Sequence, residues 1–99
     1  ELQKFKDVEL IILFGSILNE KIFNDVDVLF VTNKPKEVTK FCLELSKIRT
    51  KPVVPLILKK EDLIKEIKNK KEVVLNILRM GIILRGETIF IEVIKNAKI

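Results

Sequence analysis

Histidine, tryptophan and tyrosine are absent from the chain and cysteine occurs once, and each shortage removes a class of function. With no histidine and with Cys42 alone, the ordinary zinc sites of His and Cys ligands cannot be assembled. The same shortage excludes Ser-His and Cys-His nucleophile pairs, and a single cysteine closes no intramolecular disulfide. Any metal must therefore be bound by oxygen. No apolar stretch approaches the ~18 residues of a membrane span, and no signal-peptide pattern opens the chain, which leads to the expectation of a cytoplasmic protein. The first residue is Glu1 rather than Met, the pattern expected of a trimmed N-terminus.

What is present is an ordinary globular balance. Of the 99 residues, 47% are hydrophobic and 33% charged, enough apolar surface for one core and too little length for two, so a single domain over 1–99 is expected. Net charge is +5, and sixteen of the nineteen basic residues are lysines. Two readings of that excess stand side by side: a polyanionic partner, or the lysine- and isoleucine-rich composition of heat-adapted proteins. The lysines are spread along the chain rather than clustered with aromatics, which favours the second.

Hydrophobic patterning divides the chain into alternating elements. "VELIILF" (Val8 to Phe14) is a near-continuous apolar run stopped by Gly15, the signature of a buried strand. "VDVLFV" (Val26 to Val31) is a second. "TNKPKE" follows, with Pro35 suited to the first position of a helix, and Val38, Phe41, Cys42, Leu45 and Ile48 then mark one helical stripe. "PVVPLIL" (Pro52 to Leu58) reads as a third strand. Glu61 to Arg79 is helical in pattern, with the polar "KNKK" as a point where it can divide in two, and Gly81 closes it as the residue past a helix C-terminus. "IILRG" is a short strand, and Thr88 to Asn96 fits helix or strand. The order predicts an α/β fold, a small mixed sheet with helices packed on it.

Asp25 and Asp27 stand at the head of the second apolar run, where an unpaired carboxylate is costly. Eight residues separate Ser16 from Asp25, fewer than the dozen or so that a parallel crossover needs. Neighbouring strands here must be antiparallel, which sets the two aspartates beside Gly15-Ser16 at one end of the sheet. Residues two apart on a strand share a face, roughly 6 to 7 Å apart, so Asp25 and Asp27 point together. Like charges so placed raise each other's pKa, and a bridging divalent cation relieves the repulsion, with Mg²⁺ suited to hard oxygen ligands. The plainer readings are that the acids lie in the loop with one capping backbone amides, that Gly15 only ends a strand, and that Ser16 only caps a helix.

"FGS", an eight-residue gap and "DVD" running into an apolar strand together resemble the nucleotidyltransferase domains of the DNA polymerase β superfamily, and most nearly the minimal, antitoxin-type nucleotidyltransferases. "VVPLILKKEDL" is similar to the family's third strand and following helix, and "ILRMGIILRGE" to its closing segment, so the likeness runs from about Val8 to Glu87. It implies that Gly15 and Ser16 hold the β- and γ-phosphates of a nucleoside triphosphate. Asp25 and Asp27, as catalytic residues, hold Mg²⁺ for in-line attack at the α-phosphate with pyrophosphate leaving. The implied reaction moves a nucleoside monophosphate, AMP from ATP, to an acceptor, such as a HEPN-type toxin (higher eukaryotes and prokaryotes nucleotide-binding) in a toxin–antitoxin pair.

The chain departs from that pattern in three places. The gap is two residues shorter than in the antitoxin-type members, and Ile17 stands where a basic residue often follows Gly-Ser. A third acid usual on the third strand is expected near Val53 to Leu56, where the sequence is "VVPL". Glu61 and Asp62 come later and read as first-turn acids of a helix. Beside the transferase stand two alternatives. One is a catalytically weakened nucleotide- or partner-binding regulatory domain of the same fold. The other is a basic nucleic-acid-binding module, which a steep salt dependence would reveal and which the absence of tryptophan and tyrosine and the scattered lysines disfavour.

Overall fold

A computed structural model describes residues 7–15, 25–48 and 51–97. Its elements in chain order are β1 (Val8–Phe14), β2 (Val26–Thr32), α1 (Pro35–Ile48), β3 (Val53–Leu58), α2 (Lys60–Lys68), α3 (Glu72–Met80), β4 (Ile82–Arg85) and α4 (Glu87–Ala97). The four strands form one mixed sheet in the order β3-β2-β1-β4. β2 and β1 pair antiparallel, as the short gap between them requires, β4 pairs antiparallel with β1, and β3 lies parallel to β2 after the crossover through α1. The α/β architecture anticipated from the patterning is the one observed.

Both faces of the sheet are covered, which is why β2 reads as an unbroken apolar run. On one face Leu10, Ile12, Leu29 and Val31 pack with Leu63 and Ile67 of α2, Val74 and Ile77 of α3, and Val93 and Ala97 of α4. On the other, Val8, Ile11, Val28 and Phe30 pack with Val38, Cys42 and Leu45 of α1. Val8 should share a face with Leu10 by strict alternation, yet it lies on the opposite one. The register with β2 slips by one residue between Val8 and Leu10, so a bulge at Glu9 flips the start of the strand.

Four details differ from the sequence reading or resolve it. The polar "KNKK" does divide the helix. The Lys70 N–H donates to the Ile67 carbonyl and the Lys71 N–H to the Glu66 carbonyl, the paired closing bonds of a Schellman end, with Lys70 rather than glycine at φ 55°. Thr88 to Asn96 is helical: the buried Val93 and Ala97 and the half-buried Ile89 recur every four residues, a period the surrounding apolar residues had masked. Ile48 falls outside the α1 core and is 78% exposed, because the stripe ends a turn early and Ser46 takes over the contact with β3. Gly81 does follow a helix, but in extended rather than left-handed backbone. Its small size is what counts, since a Cβ there would press on the Ile12 side chain and lie 3.1 Å from the Leu13 carbonyl oxygen.

Candidate functional site

The register of strand pairing sets a row of residues across one end of the sheet. Phe14 of β1 lies opposite Asp27 of β2, and Asp27 lies opposite Val54 of β3. Partners in register share a face, with strands about 4.8 Å apart, so Val54, Asp27 and Phe14 point the same way. That face is the one continued by Leu29 and Val31 and roofed by α2, α3 and α4. Asp25 precedes β2 and is half-buried, like Asp27. The strand starts are held in place by two polar ties. The Val26 N–H donates to the Pro52 carbonyl at 2.9 Å. The Ser46 hydroxyl accepts from the Val53 N–H at 3.0 Å and donates to the Cys42 carbonyl at 2.9 Å.

Gly15 joins the two halves of the motif physically. Its φ is +83°, a left-handed conformation that side chains disfavour, and the place a Cβ would take is filled by the Asp27 carboxylate, with Cγ 2.9 Å away. Glycine is needed here on both counts. Gly15→Ala is expected to cost about 1–2 kcal/mol through the backbone alone and to push the Asp27 carboxyl from its position. Thermal unfolding with and without Mg-ATP reads both effects; an alanine variant stabilised by Mg-ATP as fully as the native chain would show the contact to be incidental. Ser16, the other half of the predicted phosphate-holding turn, lies outside the described residues.

The Asp27 carboxyl is held above the usual carboxylate range. Burial is the largest cause, followed by the negative charge of Asp25 and by a hydrogen bond shared with the Asp25 side chain. That is the direction expected of a carboxyl that shares its site with a second acid. The described residues hold no group of three or more His, Cys, Asp or Glu side chains able to ligate a metal. Two carboxylates side by side nonetheless fit Mg²⁺, which is commonly bound by one or two carboxylates together with waters and substrate phosphates.

The structure brings Asp25, Asp27 and Gly15 together at one end of the sheet, where the short gap between the strands placed them. The sequence bracketed the β3 position beside the acids as Val53 to Leu56 without resolving it. The register selects Val54, which is 44% exposed, and turns Pro55, the partner of Val28, to the opposite face. Glu61 and Asp62 lie in the first turn of α2, as expected. Ser46 escaped notice, because nothing in the pattern of α1 announces a hydroxyl that ties the helix to a strand.

A carboxylate pair thus stands at the end of a mixed α/β sheet, against a glycine turn. The chain belongs to the family described as Polymerase beta, Nucleotidyltransferase, whose model matches residues 1–88. Membership sets the chain among nucleotidyltransferases, a family that works on nucleoside triphosphates with Mg²⁺. No curated protein and no solved structure matches the chain. No helix among the described residues is long and apolar enough to cross a membrane.

Proposed function

We propose that the chain is a Mg²⁺-dependent nucleotidyltransferase that moves AMP from ATP to an acceptor hydroxyl, the acceptor being a partner protein of the HEPN type. The observation that carries this reading is the contact between Gly15 and Asp27. It brings the turn that would face the phosphates against the acids that would hold the cation. Asp25 and Asp27 supply the cation's protein ligands, and Gly15 with Ser16 lets the chain approach the β- and γ-phosphates closely. The chemistry such a cation supplies is neutralisation of the triphosphate and stabilisation of charge at the α-phosphate. The +5 net charge favours a polyanionic nucleotide in the same site.

A second reading, a regulatory domain that binds nucleotide with little turnover, is favoured by one observation: Val54, not a carboxylate, stands beside Asp27. Calorimetric titration with ATP, repeated with Mg²⁺ present and absent, tests what the two readings share, and ATP binding indifferent to Mg²⁺ would sink both. Release of pyrophosphate on addition of the partner then separates them, since only the transferase produces it.

A further inference from the structure

The lysines are spread out along the chain as a whole, yet Lys65, Lys68, Lys70 and Lys71 crowd together where α2 turns into α3. All of them are exposed, and among the described residues none forms an ion pair. Lys65 and Lys68 stand in the last turn of α2, where the helix dipole favours cations. Lys70 and Lys71 have no such reason to be there. Lys70 takes the left-handed position at φ 55°, which favours glycine or asparagine. Lys71 is the N-cap of α3 and makes no side-chain capping bond, as Ser, Thr, Asp or Asn would. Its charge also adjoins the positive end of the α3 dipole. A lysine-rich composition accounts for lysines on a solvated face, but not for lysines at positions where local structure selects against them. Departures of this kind mark residues kept for function at some cost in stability.

Beyond the turn, α3 carries Val73, Asn76 and Met80 on one exposed helix face. Val73 is 64% and Met80 66% exposed, so the basic turn opens onto an apolar stripe about 10 Å long. No aromatic residue lies between Phe41 and Phe90, which leaves nothing in α2 or α3 for a nucleic-acid base to stack on. We propose that the α2–α3 turn and the outer face of α3 dock a partner protein through a helix that carries acidic side chains beside apolar ones. The partner's carboxylates meet Lys65, Lys68, Lys70 and Lys71, and its apolar side chains cover Val73 and Met80. Charge complementarity sets orientation and the rate of encounter. The apolar stripe selects a protein over a polyphosphate. Docking here requires neither nucleotide nor cation, so it stands apart from the transferase reading.

The test uses the full chain and two fluorescent probes at physiological ionic strength, read by anisotropy. One is a synthetic helical peptide with glutamates along one face and leucines along the adjoining face; the other is an oligothymidylate. The native chain is expected to bind the peptide more tightly than the oligothymidylate, and more tightly than a peptide with glutamine in place of each glutamate. In Lys70→Gly/Lys71→Ser the left-handed position and the cap receive the residues that local structure favours. Its Tm is therefore expected to rise by about 5–10 °C, while its affinity for the peptide falls about fivefold as two exposed charge pairs are lost. Gain of stability with loss of binding is an outcome that a purely structural role for the lysines does not produce. Val73→Ser should weaken the peptide and leave the oligothymidylate unchanged. No binding of the peptide to the native chain, or equal binding by the double variant, would overturn the proposal. A fall in the Tm of the double variant would overturn it too, by showing that the lysines hold the turn. Tighter binding of the oligothymidylate would assign the surface to nucleic acid instead.

Discussion

Replacing Asp25 and Asp27 together by asparagine is expected to erase the stabilisation that Mg-ATP gives the native chain. A ligand present at a hundred times its Kd stabilises the folded state by about 2.7 kcal/mol. For a domain of this size each kcal/mol moves Tm by about 4–8 °C, so the native shift should be large and the shift of the double variant close to zero. Without cation the sign reverses. The Asp27 carboxyl is raised above the usual range by burial first and by Asp25 second. A carboxyl that binds its proton more tightly in the folded than in the unfolded chain favours folding at low pH. That contribution fades as pH rises from the ordinary carboxylate range through the higher folded value, and at neutral pH the ionised Asp27 opposes folding. Neutral asparagines remove the opposition. The double variant should therefore melt no lower than the native chain at pH 7 in chelator, and its stability should vary less across that acidic window. A double variant that retains the Mg-ATP shift would locate the cation elsewhere. One that melts far lower in chelator would mean that the acids are structural.

The cost of a charge in this place explains why the acids stood out in the sequence as candidates. A charge at the head of a buried strand breaks the rule that makes the strand readable, and such breaks concentrate at working sites. The antiparallel pairing of β1 and β2 was legible for a different reason, since eight residues forbid the alternative. The parallel placement of β3 followed once α1 was recognised as a crossover. Register was another matter. Whether Val54 or Pro55 stands beside Asp27 depends on where α1 delivers the chain, and that is fixed by the tie from Ser46 to the Val53 N–H, a contact between residues with no shared pattern. The bulge at Glu9 and the pairing of β4 with β1 are likewise products of tertiary fit. Ile48 shows the limit of periodicity, which marks a stripe but not how far the sheet beneath it extends.

Supplied with labelled ATP, Mg²⁺ and a co-expressed partner protein, the chain is expected to place its label on a tyrosine of that partner. Three features of the molecule converge on this outcome. The sequence has neither tryptophan nor tyrosine, and its lysines are dispersed, so the stacking platform and the basic track that hold a single strand are both poorly provided. Beside the acids, among the described residues, stands the exposed apolar Val54, a surface better matched to a protein side chain than to a sugar-phosphate backbone. Finally, Val54 leaves the acceptor to ionise without help from that position, and a phenol near pKa 10 does so far more readily than a serine or ribose hydroxyl. Mass spectrometry of the labelled partner should find the mass of AMP added to tyrosine, and Tyr→Phe at that site should remove it. RNA offered under the same conditions should be labelled at least about 10²-fold more slowly, since its hydroxyls lack both the acidity and a base to replace it. Efficient labelling of RNA ends by the chain alone would show that the acceptor is a nucleic acid and that the dispersed lysines, acting together, suffice to hold it.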